Sequence, residues 1–455
     1  MIFEREGSES VHLGGPMYRK KDRKTQRMFT EYCPFSGALD PKNRWIRLEG
    51  LIPWEELEAE YMRPFSDRGR PAKDARLVVG LILLKHLQSM SDREVVAALR
   101  ENPYQQWFCG LEQFETGSAI EASTLSVARE RMGSRYFVRL EKLCLEVLKG
   151  LGVIRGKGLL MDATVVEEGI KYPNDVGLLE RVRQGLVKGL KGVGATLGKR
   201  YRTYARKAKS VAVGFSKMKR KSKKAIHKAK KQMLQFVRRN LRQLEEAVKE
   251  IREKGLKLPP WILSFLEVAR TVYAQQREMY QQHKRRVGAR IVSVHKPYVR
   301  PMVRGKGGKE VEFGAKVSLA LVDGMAFVDK ISYENYGEGE YLREHVEGYV
   351  ERFGMKPPWV VGDRSYGTRG NRTWVKEEEI RDAFHPLGRK AHGERTRDRW
   401  VKQKQRERNQ IEGAFGTAKA RYGLRRILYQ GREGGEIWIR MGFLSMNLMQ
   451  ALKRI

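Results

Sequence analysis

Residues 181 to 240 contain 21 Lys and Arg residues and no Asp or Glu. The segments on either side contain apolar runs rich in β-branched residues, which are typical of strands, whereas the basic stretch leads into apolar positions spaced three and four residues apart. A strand pattern that stops, gives way to helices and then resumes predicts an α/β layer structure interrupted by a helical insertion. The basic segment therefore restricts the chain to folds that can carry such an insertion.

The charge of the whole chain indicates a polyanionic partner. The 455 residues carry a formal net charge of +37, and 41% of them are hydrophobic, which is enough to build buried cores. Nucleic acid is the leading partner for such a chain, and a disordered basic tail is excluded. The length predicts two or three domains.

Several other classes of protein are excluded by composition. Cys33, Cys109 and Cys144 are far apart and odd in number, which argues against a disulfide framework and against a zinc cluster. The sequence has no leader pattern and no apolar run of the roughly 18 residues that a membrane helix needs, so we expect no membrane partner and a cytoplasmic location. The GKGG segment at 305–308 lacks the Walker spacing, so we expect a hairpin turn there and no nucleotide site.

Residues 50 to 150 are predicted to form a helical domain. The sequence SDRE, at 91–94, is the pattern of a capping box, in which Ser91 caps a helix and Glu94 reaches back to its start. After Gly133, apolar residues recur along one stripe of a further amphipathic helix. These helices could present a helix-turn-helix to DNA, or they could form a bundle that only packs on the next domain.

The basic stretch and the residues after it predict a helical hairpin. Apolar residues from Ile226 to Ile251 keep helical spacing, the pair Pro259-Pro260 breaks the pattern, and a second helical pattern follows. A surface evolved only for solubility mixes charge signs, so the absence of acids favours contact with the phosphate backbone of nucleic acid. The alternative is a solvated face without a partner.

The segments outside this insertion predict a mixed α/β layer structure. They contain, in order, a strand, a pair of strands, a helix, a further strand and a long helix. By residue, these are the strand in 157–169, two strands in 312–337 joined at Asp323-Gly324, a helix ended by Gly354, the strand Trp359–Val361 and the helix through Glu412.

Two acids stand where a strand would normally exclude a charge. Asp162 interrupts an apolar strand and Asp363 directly follows one, and burying a lone carboxylate is costly unless a cation or hydrogen bonds compensate. Together with Glu412, they would make the oxygen-only ligand set that suits Mg²⁺ or Mn²⁺. Taken singly, each acid has an ordinary alternative role, such as a turn residue, a helix cap or, for Glu412, an ion pair with Arg408 one turn earlier.

Three other acids near Asp162 are ranked below it as metal ligands. Glu167 and Glu168 are predicted to lie past the strand. Asp175 belongs to a YPND turn, where Asp is expected for local reasons.

With these motifs in this order, the chain resembles the DDE transposases of bacterial insertion sequences, in the group of insertion-sequence-four and insertion-sequence-five types. MDATVV resembles the strand of their first Asp, GDRSYG the loop of their second Asp, and IEGAFGTAK the pattern around their Glu. Arg408, Glu412 and Lys419 fit the family's spacing, whereas Gln405 stands where the family has Tyr. The segment RPAKDARLVVGLILLKHLQSMSDREVVAALREN is similar to their helical N-terminal domain.

The resemblance implies an RNase H-like α/β catalytic core, a mixed sheet with flanking helices, together with an all-α N-terminal domain and an α-helical basic insertion. One feature departs from the best-known members, because the insertion follows the first strand instead of lying between the second Asp and the Glu. Roles of other insertion domains are therefore not carried over. The implied domains are 1–150 for helices that bind DNA ends, 151–177 with 291–455 for the core, and 178–290 for the insertion.

The resemblance also implies a reaction. Asp162, Asp363 and Glu412 would be the catalytic residues and the ligands of two Mg²⁺ ions, with Mn²⁺ as the alternative ion, and Arg408 and Lys419 would contact the DNA near the cleaved bond. The protein would bind terminal inverted repeats, cut one strand to expose a 3′-OH and join it to target DNA, as a homodimer on double-stranded DNA. A nuclease that cuts without joining and a catalytically inactive DNA-binding protein are the alternatives.

Overall fold

The apolar run around Asp162 forms the middle strand of a mixed sheet, as its β-branched composition predicts. The structure is a computed structural model. It describes residues 39–65, 71–117, 119–303, 311–387 and 395–455. Cys33 and the GKGG segment lie outside the described residues.

Helices occupy the N-terminal region, as predicted. The capping box is confirmed, because the Ser91 hydroxyl accepts from the Glu94 amide and the Glu94 carboxylate accepts from the Ser91 amide. Gly133, with φ of 65°, kinks the last of these helices. The helices of the described residues up to 158 are α1 Arg44–Glu49, α2 Trp54–Met62, α3 Ala75–Gln88, α4 Asp92–Leu99, α5 Pro103–Phe108 and α6 Ala122–Gly150.

Seven strands form one sheet in the described part of the chain. They are β1 Leu159–Glu168, β2 Arg300–Val303, β3 Val311–Val322, β4 Met325–Ser332, β5 Trp359–Val361, β6 Arg381–Asp382 and β7 Arg426–Ile427. The order is β2-β3-β1-β5-β6, with β4 beside β3 and β7 beside β1. β5 is parallel to both β1 and β6, and β2 is antiparallel to β3. The predicted mixed α/β class is confirmed.

The turn between β3 and β4 follows its sequence signature. Asp323 and Gly324 both have positive φ, at 50° and 78°, which is the backbone shape of a two-residue hairpin turn. The strand Trp359–Val361 has the predicted bounds.

The insertion contains four helices among its described residues, so the predicted hairpin was incomplete. α7 Asp175–Leu197 and α8 Ala205–Lys217 precede the predicted pair, α9 Lys223–Glu253 and α10 Pro260–Gln281. Leu186 of α7, Leu244 of α9 and Leu266 of α10 belong to one apolar core. α7 and α10 come very close at Gly185, where an added Cβ would lie 2.1 Å from the Phe265 ring.

The last helices differ from prediction in one respect. α11 Leu342–Phe353 ends at Gly354 as predicted, with φ of 72°. The predicted long helix through Glu412 is divided in two, because α13 Arg395–Glu407 and α14 Asn409–Arg421 are separated by a single turn residue, Arg408, whose φ of −56° and ψ of −27° remain helical. The others are α12 Arg369–Glu377 and α15 Gly431–Leu452.

The described residues divide into two compact units. The first contains the residues up to Thr164, Val317–Ile331 and Gly337–Ile455, and the second contains Val165–Lys316 and Ser332–Tyr336. The N-terminal helices, the three predicted catalytic acids and α15 belong to the first unit. The helical insertion belongs to the second.

The apolar helix α15 forms much of the core of the first unit. It packs against α3 and α6, with Ile439, Met441 and Leu448 fully or almost fully buried. Cys109 and Cys144 are buried free thiols, as predicted for these two. A search of the described residues finds no helix with the length and apolar character needed to cross a membrane.

A buried amide joins α15 to the sheet and gives a test of this packing. The Asn447 side chain donates to the Ala326 carbonyl at 2.7 Å and accepts from the Ala326 amide at 2.8 Å. Asn447→Leu would leave both backbone groups unpaired in a buried site, which costs roughly 2–4 kcal/mol. We expect the free energy of unfolding, measured by denaturant titration, to fall by that amount. Gln450→Leu, on the same helix and half-buried, is the control, and equal losses in both variants would contradict this role of Asn447.

Candidate active site

Asp162 and Asp363 lie at neighbouring parallel strands. Leu159 pairs with Val360 and Leu160 with Val361 across β1 and β5. Asp162 and Asp363 each come two residues beyond the last of these paired residues, so the register brings the two acids to the same region of the sheet. The charge of Asp363 also acts on the pKa of Asp162. Two predicted ligands are thus neighbours because of strand pairing.

The loop after β5 holds the Asp363 carboxylate by local hydrogen bonds. Its Oδ1 accepts from the Ser365 amide at 2.8 Å and from the Ser365 hydroxyl at 2.5 Å. Tyr366, the next residue, is fully buried, and an added Cβ at Gly362 would lie 2.6 Å from its ring. The side chain of Asp363 therefore projects from a tightly packed loop.

Arg408 joins the first acid to the third. Its Nη1 donates to Asp162 Oδ2 at 2.6 Å and its Nη2 donates to Glu412 Oε1 at 3.1 Å. Arg408 and Asp162 side chains are each 15% exposed, whereas the Glu412 side chain is 58% exposed. The ion pair between Arg408 and Glu412, weighed above as the ordinary alternative, is present. The same guanidinium nevertheless brings Glu412 to Asp162.

The environment of Asp162 favours its protonated form. Burial is the largest cause and raises the pKa of Asp162 to about 6, and the charges of Glu338 and Asp363 act in the same direction. The Ala163 amide, which donates at 2.8 Å, and the Arg408 guanidinium both lower this pKa and only partly offset the burial. A cation bound next to this carboxylate would stabilise its ionised form and so lower its pKa.

Gln405 positions the loop of Asp363 against the helix that leads to Glu412. Its Nε2 donates to the Gly362 carbonyl at 3.1 Å and to the Ala383 carbonyl at 2.7 Å. Gly362 follows β5 and Ala383 follows β6, so one amide ties the ends of both strands to α13. The sequence had marked Gln405 only as a departure from a Tyr.

Glu338 is an acid near the site that the sequence analysis did not single out. It begins a 3₁₀ turn, Glu338–Tyr341, and its charge raises the pKa of Asp162. The turn lies against the Asp363 loop, since an added Cβ at Gly339 would lie 2.1 Å from the Ser365 carbonyl oxygen. An acid followed by a glycine, just after a predicted strand, was the available signal for this close approach.

Lys419 and Glu412 share one helix. Both belong to α14, with Glu412 in its first turn and the half-buried Lys419 in its last. Seven residues are almost two turns, so the two side chains lie on the same side of the helix, about 10 Å apart along its axis.

The acids ranked below Asp162 have other partners. The prediction that Glu167 and Glu168 lie past the strand was wrong, because β1 extends through both. Glu168 is buried and accepts from Lys296, Tyr298 and Tyr333. Asp175, the first residue of α7, pairs with Lys230 at 2.9 Å and with Arg290 at 2.5 Å.

The donor set suits a hard divalent cation, although Arg408 pairs with two of the three carboxylates in this arrangement. Carboxylate oxygens are the ligands that Mg²⁺ and Mn²⁺ prefer. No group of three or more Asp, Glu, His or Cys side chains within the described residues is already arranged to hold a metal. The buried Asp162, its neighbour Asp363 and the exposed side chain of Glu412 fit such an ion by the chemistry of their carboxylates.

Two protein-family models match the chain. Residues 34–131 match a family described as "Transposase domain (DUF772)", and residues 360–449 match a family described as "Transposase DDE domain". The second match contains Asp363, Arg408, Glu412 and Lys419. Asp162 lies outside both matches.

One curated protein similar to this chain is "Uncharacterized protein ORF8 in nfe locus" of Rhizobium meliloti. It is 36% identical over 175 residues, which are 38% of this chain and 84% of the relative. No solved structure gave a significant match.

The raised pKa of Asp162 predicts a pH-dependent loss of stability. Below its ordinary value of 3.8 the carboxyl is protonated in both states, and as pH rises towards about 6 only the unfolded state releases the proton. Ionisation therefore destabilises the fold by up to about 3 kcal/mol above pH 6. Asp162→Asn cannot ionise, so its stability relative to the parent should increase over this range.

The measurement is the free energy of unfolding in EDTA between about pH 4 and about pH 6.5. Glu377→Gln, at an exposed position of α12, is the control and should show no such trend. A stability difference between Asp162→Asn and the parent that is flat, or that falls with pH, would contradict the assignment.

Proposed function

Because the chain belongs to the DDE transposases of insertion sequences, we propose that it cleaves DNA at the ends of its own element and joins them to target DNA. One observation carries this proposal. Asp162 lies in β1, Asp363 follows the parallel strand β5 by two residues, and Arg408 links Glu412 to Asp162. Strand register and one guanidinium thus bring acids from three distant parts of the chain towards Asp162.

The fold of the catalytic part is proposed to be RNase H-like. Supporting this, β1 is the middle strand of the sheet, with β5 and β6 parallel to one another on one side and the β3–β4 hairpin on the other. The first acid lies within the middle strand, and the second directly follows its parallel neighbour. The predicted domain limits, 1–150, 151–177 with 291–455, and 178–290, remain proposals.

Asp162, Asp363 and Glu412 are proposed to hold two Mg²⁺ ions, or Mn²⁺. When bound, such ions would activate the attacking oxygen and stabilise the leaving oxygen of an in-line displacement. The chain's own contribution is positioning. Ser365 fixes the carboxylate of Asp363, and Gln405 fixes the loop that carries it. Asp162 is held by the sheet, so only the exposed Glu412 has freedom to adjust.

Arg408 and Lys419 are proposed to hold the DNA strand. A phosphate offers Arg408 an alternative to its two carboxylate partners, and its guanidinium can bind a phosphate with two hydrogen bonds. Lys419 lies about 10 Å from Glu412 along the axis of α14 and on the same side of that helix, so it can reach a different phosphate of the strand. Cations on either side of Glu412 would then align the scissile bond with the acids.

The remaining partners follow from the reaction. The helices α1 to α6 are proposed to bind the terminal inverted repeats, and two copies of the chain are proposed to hold the two ends. The substrate is chromosomal double-stranded DNA, so the site of action would be the cytoplasm. A nuclease that does not join, and a DNA-binding protein without activity, are the competing proposals.

Substitution of the three acids tests the proposal. With DNA that carries the sequences flanking the gene, and with Mg²⁺, Asp162→Ala, Asp363→Ala and Glu412→Ala should each lower cleavage and joining by about 10³-fold or more. The loss of a metal ligand removes several kcal/mol of transition-state stabilisation. Binding of the DNA should survive, as measured by gel shift. Glu377→Ala, an exposed acid on α12, should match the parent.

The outcomes separate the three candidates. Joining of DNA ends that already carry a free 3′-OH supports the transposase. Cleavage without such joining supports the nuclease, and metal-independent binding without cleavage supports the inactive binding protein. If all three acid variants cut and join as well as the parent, the proposed site is wrong.

A further inference from the structure

Exposed cations in the insertion are divided into two groups along α9. In the C-terminal half of this helix two of the exposed cations pair with acids, Arg242 with Glu246 at 3.4 Å and Lys249 with Glu253 at 3.7 Å. Arg270 of α10 likewise pairs with Glu245 at 2.5 Å. The exposed cations of α8 and of the N-terminal half of α9 lack such pairs among the residues that the structure describes.

On α8 three of the four exposed cations occupy one face, and the fourth, Lys207, lies beside it. Ala208 and Phe215 are buried and mark the side that faces the core. Arg206, Lys209 and Lys217 are exposed. At 100° per residue, these three lie within an arc of about 80° on the side opposite the two buried residues.

The same arrangement continues on α9. Met233 and Val237 are buried against the insertion core. Four exposed cations opposite them again lie within an arc of about 80°, and the exposed Lys223 and Arg239 lie outside it. We call the cations of the two arcs the basic face, which consists of Arg206, Lys209, Lys217, Lys224, Lys228, Lys231 and Arg238.

Packing does not account for the basic face, because the insertion gives its inward cations carboxylate partners. Lys230, buried on α9, pairs with Asp175 at 2.9 Å, and Arg183, buried on α7, pairs with Glu180 at 2.7 Å. Both of these cations are at most 7% exposed at the side chain. The seven outward cations repel one another without such compensation. Neighbouring like charges destabilise a helix, and a surface evolved only for solubility mixes positive and negative side chains. The uniform positive charge here therefore favours binding to an external polyanion.

We propose that the basic face binds the phosphates of double-stranded DNA without regard to sequence. From Lys224 to Arg238 the face extends about 21 Å along α9, and a duplex of that length carries about twelve phosphate charges. Lysines dominate the face, and they act as point charges that need no defined base. The inference rests on the proposed function, because that function is the reason for taking DNA as the polyanion. In this inference the insertion binds the DNA that lies outside the terminal repeats.

A pair of charge-matched variants tests the inference. The first replaces four cations of the basic face, Lys209→Gln, Lys217→Gln, Lys228→Gln and Lys231→Gln. The second replaces four cations that have acid partners, Arg242→Gln, Lys249→Gln, Lys254→Gln and Arg270→Gln. Both remove four charges from the same subdomain, and Gln keeps a helix propensity close to that of Lys and Arg. Circular dichroism confirms that each variant folds.

The readout is the dissociation constant for two duplexes, one with the terminal repeat and one of scrambled sequence, between about 50 and 200 mM salt. Each phosphate contact contributes about 0.9 to the slope of log affinity against log salt, so the basic-face variant should lose roughly 3 to 4 from this slope on both duplexes. The control variant should lose less than about 1. Joining by the basic-face variant should return at saturating DNA.

Several results would overturn the inference while leaving the proposed function intact. These are equal losses in the two variants, a loss confined to the terminal-repeat duplex, an unchanged slope in the basic-face variant, or tighter binding of the face to duplex RNA of equal length. The converse result is that the three acid-to-alanine variants cut and join as well as the parent while the basic-face variant shows the expected loss of salt slope. That result would contradict the proposed transposase mechanism and support DNA binding by the basic face.

Discussion

The site depends on a carboxylate that is placed inside a sheet. Asp162 lies in the middle strand, where burial raises its pKa to about 6, and a charge in such a position needs compensation. Arg408 supplies that compensation from the turn between α13 and α14, and its second nitrogen reaches Glu412. The demand of one buried acid for a cation therefore brings a helix, and the third acid with it, to the edge of the sheet. A cation other than Arg408 could meet the same demand.

The second acid is positioned by a different means. Strand pairing brings Asp363 to the same region of the sheet as Asp162, and three separate contacts then hold its loop: Ser365 on the carboxylate, Gln405 on the Gly362 carbonyl, and the turn at Gly339 against Ser365. Asp162 and Asp363 are thus fixed by the backbone, whereas Glu412 stands on an exposed helix turn. If the three acids hold cations as proposed, such a division would leave one adjustable ligand beside two rigid ones.

Local patterns predicted the elements that local chemistry determines. The capping box at Ser91, the turn at Asp323-Gly324 and the helix end at Gly354 each satisfy their backbone groups within a few residues, so the sequence pattern was sufficient. The differences from prediction concern longer-range effects. The break at Arg408 accompanies its bond to Asp162, 246 positions away in the chain, and Glu168 stays in β1 because Lys296, Tyr298 and Tyr333 satisfy its buried carboxylate. The acid Glu338 was missed because only folding brings it near Asp162.

Charge in the insertion shows how far composition alone could lead. The absence of acids from 181 to 240 indicated a polyanion partner, but it did not separate cations that hold the fold from cations that face outward. Lys230 and Arg183 lie in the same acid-poor region and are buried against Asp175 and Glu180, which lie just outside it in sequence. The cations of the basic face have no comparable acid partner among the described residues. The cations of the basic face are not needed to stabilise the insertion. Their presence is therefore better explained by the proposed binding of DNA phosphates than by folding.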